Sequence, residues 1–274
     1  MTGNKDLQTN LSQRIETLKP LIFEAGEYAE KKRQSSQVKV EIKEDKTPVT
    51  NVDYWANQFF KEKIEELYPG EIYIGEEDEI LSYTPDASPI WYVDPIDGTR
   101  QFIDGTAPYF ILIGLVVAGK PVLGMVYEPE KKRLIYGYYG GGAFVQWERH
   151  PATEAQVKTN WNAHLPIVIK GADRNFYHKF EKSTAIRRIG HIADMHNALA
   201  PVEARTQGMV SRRKTWLWDF CAPAAIMAAA GYRWACYKDG REVLLNFGET
   251  IVDQNYILPP DTPEHILQFL IPQL

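Results

Sequence analysis

The stretch Trp91-Tyr-Val-Asp94-Pro-Ile-Asp97-Gly98-Thr99-Arg100 leaves a folded chain few options. Its apolar, β-prone start ends at Pro95, which has no N–H to give a strand ladder. Val93 is then the last residue of a buried strand, and Asp94 emerges at its C-terminal end. Gly98 permits a backbone path that a side chain would obstruct, and Thr99 sets a hydroxyl beside exposed backbone N–H groups. Hard cations such as Mg²⁺ take a few carboxylates and keep positions open for water and phosphate oxygens. Two aspartates at this spacing converge on one ion or bridge two. The ordinary use of the same residues is a turn, since Asp, Pro and Gly are common turn formers.

Two other segments decide between these uses. Ile72-Tyr-Ile-Gly75-Glu76-Glu77-Asp78-Glu79 is again an apolar run delivering carboxylates at its end. Trp218-Asp219-Phe220-Cys221-Ala222-Pro223-Ala224-Ala225 opens a small-residue helical run, with Asp219 at a capping position and Pro223 in the first turn. G-E-E, then D-P-I-D-G-T, then W-D before a small-residue helix, in this order, resembles the inositol monophosphatase superfamily of Mg²⁺-dependent, typically lithium-sensitive phosphatases. The resemblance spans nearly the whole chain. Thr47-Pro48-Val49-Thr50 and D-G-T-Arg100-Gln-Phe102-Ile103 resemble its 3′(2′),5′-bisphosphate nucleotidase branch more than the animal inositol enzymes. Histidinol phosphatases share part of that pattern.

The chain's 274 residues suffice for a large core in one domain or two intimate halves. The halves divide near 150: residues 1–150 carry most of the candidate metal ligands, and 151–274 carry Asp219 and the substrate pocket. A hydrophobic content of 44% with 24% charged residues is ordinary for a soluble globular protein. The formal net charge of −5 argues against a dedicated nucleic-acid binder. No apolar stretch approaches the ~20 residues of a membrane helix. The N-terminal MTGNKDLQTN lacks the regions of a secretory signal. Cys221 and Cys236 sit at no metal-binding spacing and read as buried small hydrophobes. A reducing cytoplasm is therefore the expected compartment.

Along the chain, Leu7, Leu11, Ile15, Leu18, Leu21 and Ile22 mark an amphipathic helix reaching about Lys32. Val38 to Lys43 alternates as a half-exposed strand, and Lys43 to Thr50 reads as a polar loop. Asn51 or Thr50 caps a second helix whose first turn holds Asp53. Phe110 to Ala118 is an apolar run covered on both faces. After a Gly119-Lys120-Pro121 turn, a meander continues through Val122–Tyr127 and Leu134–Tyr139. Gly140-Gly141-Gly142 reads as a hairpin turn, because the Lys-Ser/Thr and the helix of a P-loop are missing. Strands near 166–169 and 186–189 alternate with helices near 175–184, 195–206 and 219–230, and a terminal segment covers 266–270. The alternation predicts an α/β layered sandwich of helix and sheet layers, the fold that the resemblance also implies.

Residue by residue, the resemblance implies that Glu76, Asp94 and the Ile96 carbonyl hold a first Mg²⁺, and Asp94, Asp97 and Asp219 a second, in a site of two or three ions. Glu76 and Thr99 would orient the attacking water, with Asp53 polarising the Thr99 hydroxyl and Glu77 standing by for Glu76. Asp97, Gly98 and Thr99 would receive the phosphate. Relatives carry a Gly-Ser pair where this chain has Asp194-Met195, and a Glu where it has Arg212. Arg212-Arg213-Lys214 is either a solvated loop or the recognition site for a second phosphate. The expected partner is a small phosphorylated substrate, with no nucleic-acid polymer and no membrane; a homodimer stays open. The leading reading is a Mg²⁺-dependent phosphomonoesterase, foremost a bisphosphate nucleotidase. An inositol monophosphatase, a histidinol phosphatase and a catalytically weak relative that binds a phosphorylated ligand are the alternatives.

Overall fold

A computed structural model describes residues 2–78, 82–84, 88–106, 108–155, 157, 159–184, 188–189, 199–203 and 205–270. Two sheets form its frame. The first has seven strands in sequential order, β3 (Ile72–Gly75), β4 (Ile90–Asp97), β5 (Phe110–Val117), β6 (Lys120–Glu128), β7 (Arg133–Tyr138), β8 (Gly142–Trp147) and β9 (Thr153–Glu154). Only β3 and β4 run parallel, and the rest is an antiparallel meander. The second sheet combines β10 (Ile167–Lys170), β11 (Arg188–Ile189), β12 (Met209–Ser211), β14 (Arg233–Lys238), β15 (Arg241–Val243) and β17 (Gln254–Leu258), in the order β11-β10-β12-β17-β14-β15.

Strand alternation sorts the core into layers. Trp91 and Val93 of β4 point toward α1 (Thr2–Gln34) and α2 (Asn51–Leu67), where they meet Leu11, Ile15, Phe60 and Ile64. Ile90 and Tyr92 point the other way, toward α5 (Leu217–Ala229) and, beyond it, Val168, Met209, Cys236 and Ile257 of the second sheet. The far face of that sheet packs on α4 (Arg174–Thr184) and α6 (Glu264–Leu270) through Phe180, Ile266, Leu267 and Leu270. The result is five layers, helix–sheet–helix–sheet–helix, as the sequence pattern predicts.

α5 lies between the sheets and is apolar on all sides, which marks a helix with no solvent face. Its small residues are matched by glycines. Gly114, Gly124 and Gly137 stand opposite one another across β5, β6 and β7 and form a furrow in the sheet. A methyl at Gly114 would lie 2.8 Å from Cys221 Cβ, one at Gly124 2.1 Å from the Ala222 carbonyl oxygen, and one at Gly137 3.0 Å from Ile226 Cα. Helix backbone thus rests directly on sheet backbone.

Several local expectations shift. The expected loop 43–50 contains a strand, β2 (Pro48–Thr50), paired antiparallel with β1 (Val40–Ile42), so only 43–47 turn. The hairpin turn after β5 falls at Ala118-Gly119, both at positive φ, one residue before the expected position. Gly140 and Gly141 lie in the β7–β8 hairpin connection, as the sequence predicts, and Gly142 opens β8. α5 begins at Leu217 rather than at Asp219, and Pro223 lies inside it. Of the helix expected at 195–206, residues 195–198 and 204 lie outside the described residues, and Ala200–Glu203 is a 3₁₀ turn. Both cysteines are free and buried. No described helix is long and apolar enough to cross a membrane.

Candidate active site

The site forms where β4 ends. In a regular strand, residues three apart face opposite sides, so Asp94 and Asp97 could not converge. β4 is not regular there. Asp94 pairs with Leu112 and Asp97 with Phe110, three steps on one strand against two on the other. This bulge, at the proline that cannot join the ladder, re-aims the side chains. Asp94 keeps the parity of Ile90 and Tyr92 and faces the α5 layer. α5 brings Asp219 in its first turn to meet it. Carboxylate oxygens of Asp94, Asp97 and Asp219 all lie within 4.8 Å of one another, with Asp94 only 2% exposed.

The next turn of chain fixes the threonine. Gly98 sits at φ +91°, a left-handed conformation open to glycine, and caps α3 (Thr99–Asp104). Thr99 Oγ1 lies 3.0 Å from Asp53 Oδ1 and 3.2 Å from the Ile96 carbonyl. Asp53 has two tasks. Its Oδ2 accepts from the Thr50 N–H at 3.0 Å and from the Thr50 hydroxyl, completing a capping box at the start of α2. Its Oδ1 takes the Thr99 hydroxyl. Thr50 rather than Asn51 is therefore the cap. Burial raises the Asp53 pKa, and the bonds from Thr50 and Thr99 oppose that rise.

Glu76 and Glu77 follow β3 directly. Glu76 lies against Asp94 but is not part of the three-aspartate cluster. Burial, with Glu77 adding to it, pushes the Glu76 carboxyl up to about 7 against the pull of Lys43. Asp94 is raised well above the carboxylate range by burial first and then by Glu76, Asp97 and Asp219. Lys43, from the β1–β2 turn, reaches Glu77 at 2.7 Å and Glu76 at 3.6 Å. Sequence reasoning names Lys43 only as the start of a polar loop, and its contact with Glu76 and Glu77 shows only in the fold.

Mutually repelling carboxylates held in a buried spot by the fold are what a hard divalent cation relieves. The donors are all oxygen, which fits Mg²⁺ and not a soft metal. Arg212 stands apart from this group. Its guanidinium lies over Phe176 of α4, 4.0 Å from the ring centroid, and its backbone N–H donates to the Lys170 carbonyl at 2.9 Å. Nη1 is buried with no hydrogen-bond partner among the described residues, and burial lowers the pKa. Asp194 and Met195 lie outside the described residues.

Layers and site together define an α/β sandwich with a three-carboxylate cluster, suited to a hard cation, between sheet and helix. Residues 10–268 match the model of the inositol monophosphatase family, and the chain belongs to that family. Over 151 residues it is 32% identical to the 3′(2′),5′-bisphosphate nucleotidase CysQ of Haemophilus influenzae, covering 54% of this chain and 56% of that protein. Over 138 residues it is 30% identical to the inositol-1-monophosphatase of Bacillus subtilis, covering 50% and 52%. The matches thus span about half the length of these curated relatives. A solved IMPase/NADP phosphatase complexed with Mg²⁺ and phosphate has the same fold, with a TM-score of 0.69 over 97% of this chain and 94% of that one at 19% identity.

Proposed function

We propose that this protein is a Mg²⁺-dependent phosphomonoesterase acting on a small phosphorylated metabolite. Our reading of the substrate is a 3′(2′),5′-bisphosphate nucleotide, with adenosine 3′,5′-bisphosphate converted to AMP and phosphate. The observation that carries the class is the convergence of Asp94, Asp97 and Asp219 beside a Thr99 hydroxyl held by Asp53.

In this reading Glu76, Asp94 and the Ile96 carbonyl hold one Mg²⁺, and Asp94, Asp97 and Asp219 a second. When bound, the ions lower the pKa of a coordinated water and neutralise charge on the phosphoryl oxygens. The protein's own part is positioning. Thr99 donates a hydrogen bond from its hydroxyl to Asp53 Oδ1, which turns the hydroxyl's lone pairs toward the attacking water. Asp53 must be ionised for that; burial opposes that form, and the two Thr50 donors to Oδ2 favour it. Glu76 receives the other hydrogen of that water. Asp97, Gly98 and Thr99 frame the phosphate, with backbone N–H groups of the Gly98-Thr99 turn as donors.

Arg212 supports the bisphosphate reading. Its Phe176 platform restrains the guanidinium, whose Nη1 has no hydrogen-bond partner among the described residues, and a guanidinium is suited to a second phosphate. The CysQ relatives point the same way. The Bacillus subtilis relative favours a second reading, an inositol monophosphatase. The deciding experiment is kcat/KM for phosphate release from adenosine 3′,5′-bisphosphate, inositol 1-phosphate, histidinol phosphate and fructose 1,6-bisphosphate. Our reading expects the nucleotide to lead by at least about tenfold, roughly 1.4 kcal/mol of discrimination. It also expects Arg212→Ala to raise KM for that substrate. Preference for inositol 1-phosphate would overturn the nucleotidase and leave the phosphatase standing.

A further inference from the structure

Lys43 is placed by backbone geometry. Its N–H donates to the Thr47 carbonyl at 2.9 Å, and its carbonyl accepts from the Lys46 N–H at 2.9 Å. Lys46 takes a left-handed turn at φ +68°. Asp45 closes the tip by accepting from the Thr47 N–H at 2.9 Å and the Thr47 hydroxyl at 2.6 Å. β2 then runs into α2, so the turn is tied to the helix that carries Asp53. At the far end of the Lys43 side chain, the ammonium contacts both Glu77 and Glu76. The Glu77 side chain is only 3% exposed. A buried carboxylate needs a cation, and Lys43 is the cation that the described ion pairs give it.

A third Mg²⁺ beside Glu76 would claim the same oxygens. It would also keep several of its waters, because Mg²⁺ dehydrates reluctantly. An ammonium needs none of them, and its three donors suit two carboxylates at once. We propose that the Lys43 ammonium is the resident cation between Glu76 and Glu77, so that this protein binds two Mg²⁺ ions and supplies a third positive centre from its own chain. The proposal rests on the metal-site reading above and goes beyond it by fixing the number of ions and the residue that sets it.

The test is a count of bound Mn²⁺ per chain, by equilibrium dialysis with the free ion read by electron paramagnetic resonance. Wild type, Lys43→Arg, Lys43→Met and Asp94→Asn are compared, with folding checked by circular dichroism. The expected counts are two for wild type and Lys43→Arg, and three for Lys43→Met, where Glu77 is left without its ammonium. Three ions in wild type, or two in a folded Lys43→Met with unchanged affinity, would overturn the proposal. The wild-type count decides it even if Lys43→Met fails to fold. A wild type that binds no Mn²⁺ would instead overturn the metal-site reading, and the proposal with it.

Discussion

Asp94→Asn separates what Asp94 does for the fold from what it does for the ion. The substitution keeps the volume, and it keeps an oxygen to accept the Ile96 N–H, now bonded to Oδ1 at 2.9 Å. It replaces a carboxyl, 2% exposed, whose ionisation is opposed by burial and by Glu76, Asp97 and Asp219. Without metal, the variant should therefore melt at or above the wild-type temperature. With Mg²⁺ the order reverses. A ligand at 100 times its dissociation constant stabilises the native state by about 2.7 kcal/mol. At about 2–4 °C per kcal/mol for a chain of this size, wild type should gain roughly 5–10 °C. Asp94→Asn should lose most of that gain, and its turnover should fall by at least about 100-fold, in line with the loss of one preorganised electrostatic contact. The assay is a melting curve with and without Mg²⁺, paired with phosphate release. A variant with the full Mg²⁺ shift and turnover within a few-fold of wild type would refute the reasoning.

Thr99→Val should cut turnover by about 10²-fold or more while costing about 1 kcal/mol of stability, whereas Thr99→Ser should keep most activity; equal loss in both would refute a role for the hydroxyl. Asp53→Asn should lose activity together with about 1–2 kcal/mol, because it weakens the Thr50 capping box as well; urea melts read the second effect. Gly124→Ala should destabilise by about 1–3 kcal/mol or more, since its methyl meets the Ala222 carbonyl; a neutral effect would mean that α5 does not sit in the furrow. The metal-free protein should lose stability as pH rises. Glu76 is raised to about 7 from 4.5, so its contribution is fully present below about 4.5 and gone above about 7. At 1.36 kcal/mol per unit, discounted for its 28% exposure, that amounts to about 2 kcal/mol. Melting temperatures between pH 5 and 8 without metal should fall, and a flat profile would contradict the assignment.

The chemistry was more legible in the sequence than the geometry that delivers it. Asp94 and Asp97 stand out locally as carboxylates at the end of an apolar run, whereas Asp219 joins them only through the resemblance. The bulge that lets Asp94 and Asp97 converge shows only in the pairing of β4 with β5. The start of α5 was misplaced for a related reason. β13 (Thr215–Trp216) pairs with β16 (Ile251–Val252), and the Leu217 N–H donates to the Thr250 carbonyl at 2.8 Å. That contact, more than thirty residues away in sequence, begins the helix two residues before Asp219 and makes Trp216 the cap. Likewise Gly114, Gly124 and Gly137 read as breaks in apolar strands until the sheet aligns them under Ala222 and Ile226. Residues 43–50 read as one loop because the pairing of Pro48-Val49-Thr50 with β1 does not show in composition, while Lys43 does lie in the turn. Asp53 is expected in the first turn of α2 and, by the resemblance, against Thr99; the structure adds the capping box, which uses its other oxygen.

The central claim is that the carboxylate centre drives phosphate-ester hydrolysis with Mg²⁺. Its most direct test is phosphate release from adenosine 3′,5′-bisphosphate by the wild type after EDTA treatment, before and after Mg²⁺ is added back. The account predicts no turnover in EDTA, recovery with Mg²⁺, and no recovery in Asp94→Asn. Turnover that persists in EDTA, or a folded, Mg²⁺-binding wild type that hydrolyses none of the four esters, would contradict it. The second outcome would point to a relative that only binds its phosphorylated ligand.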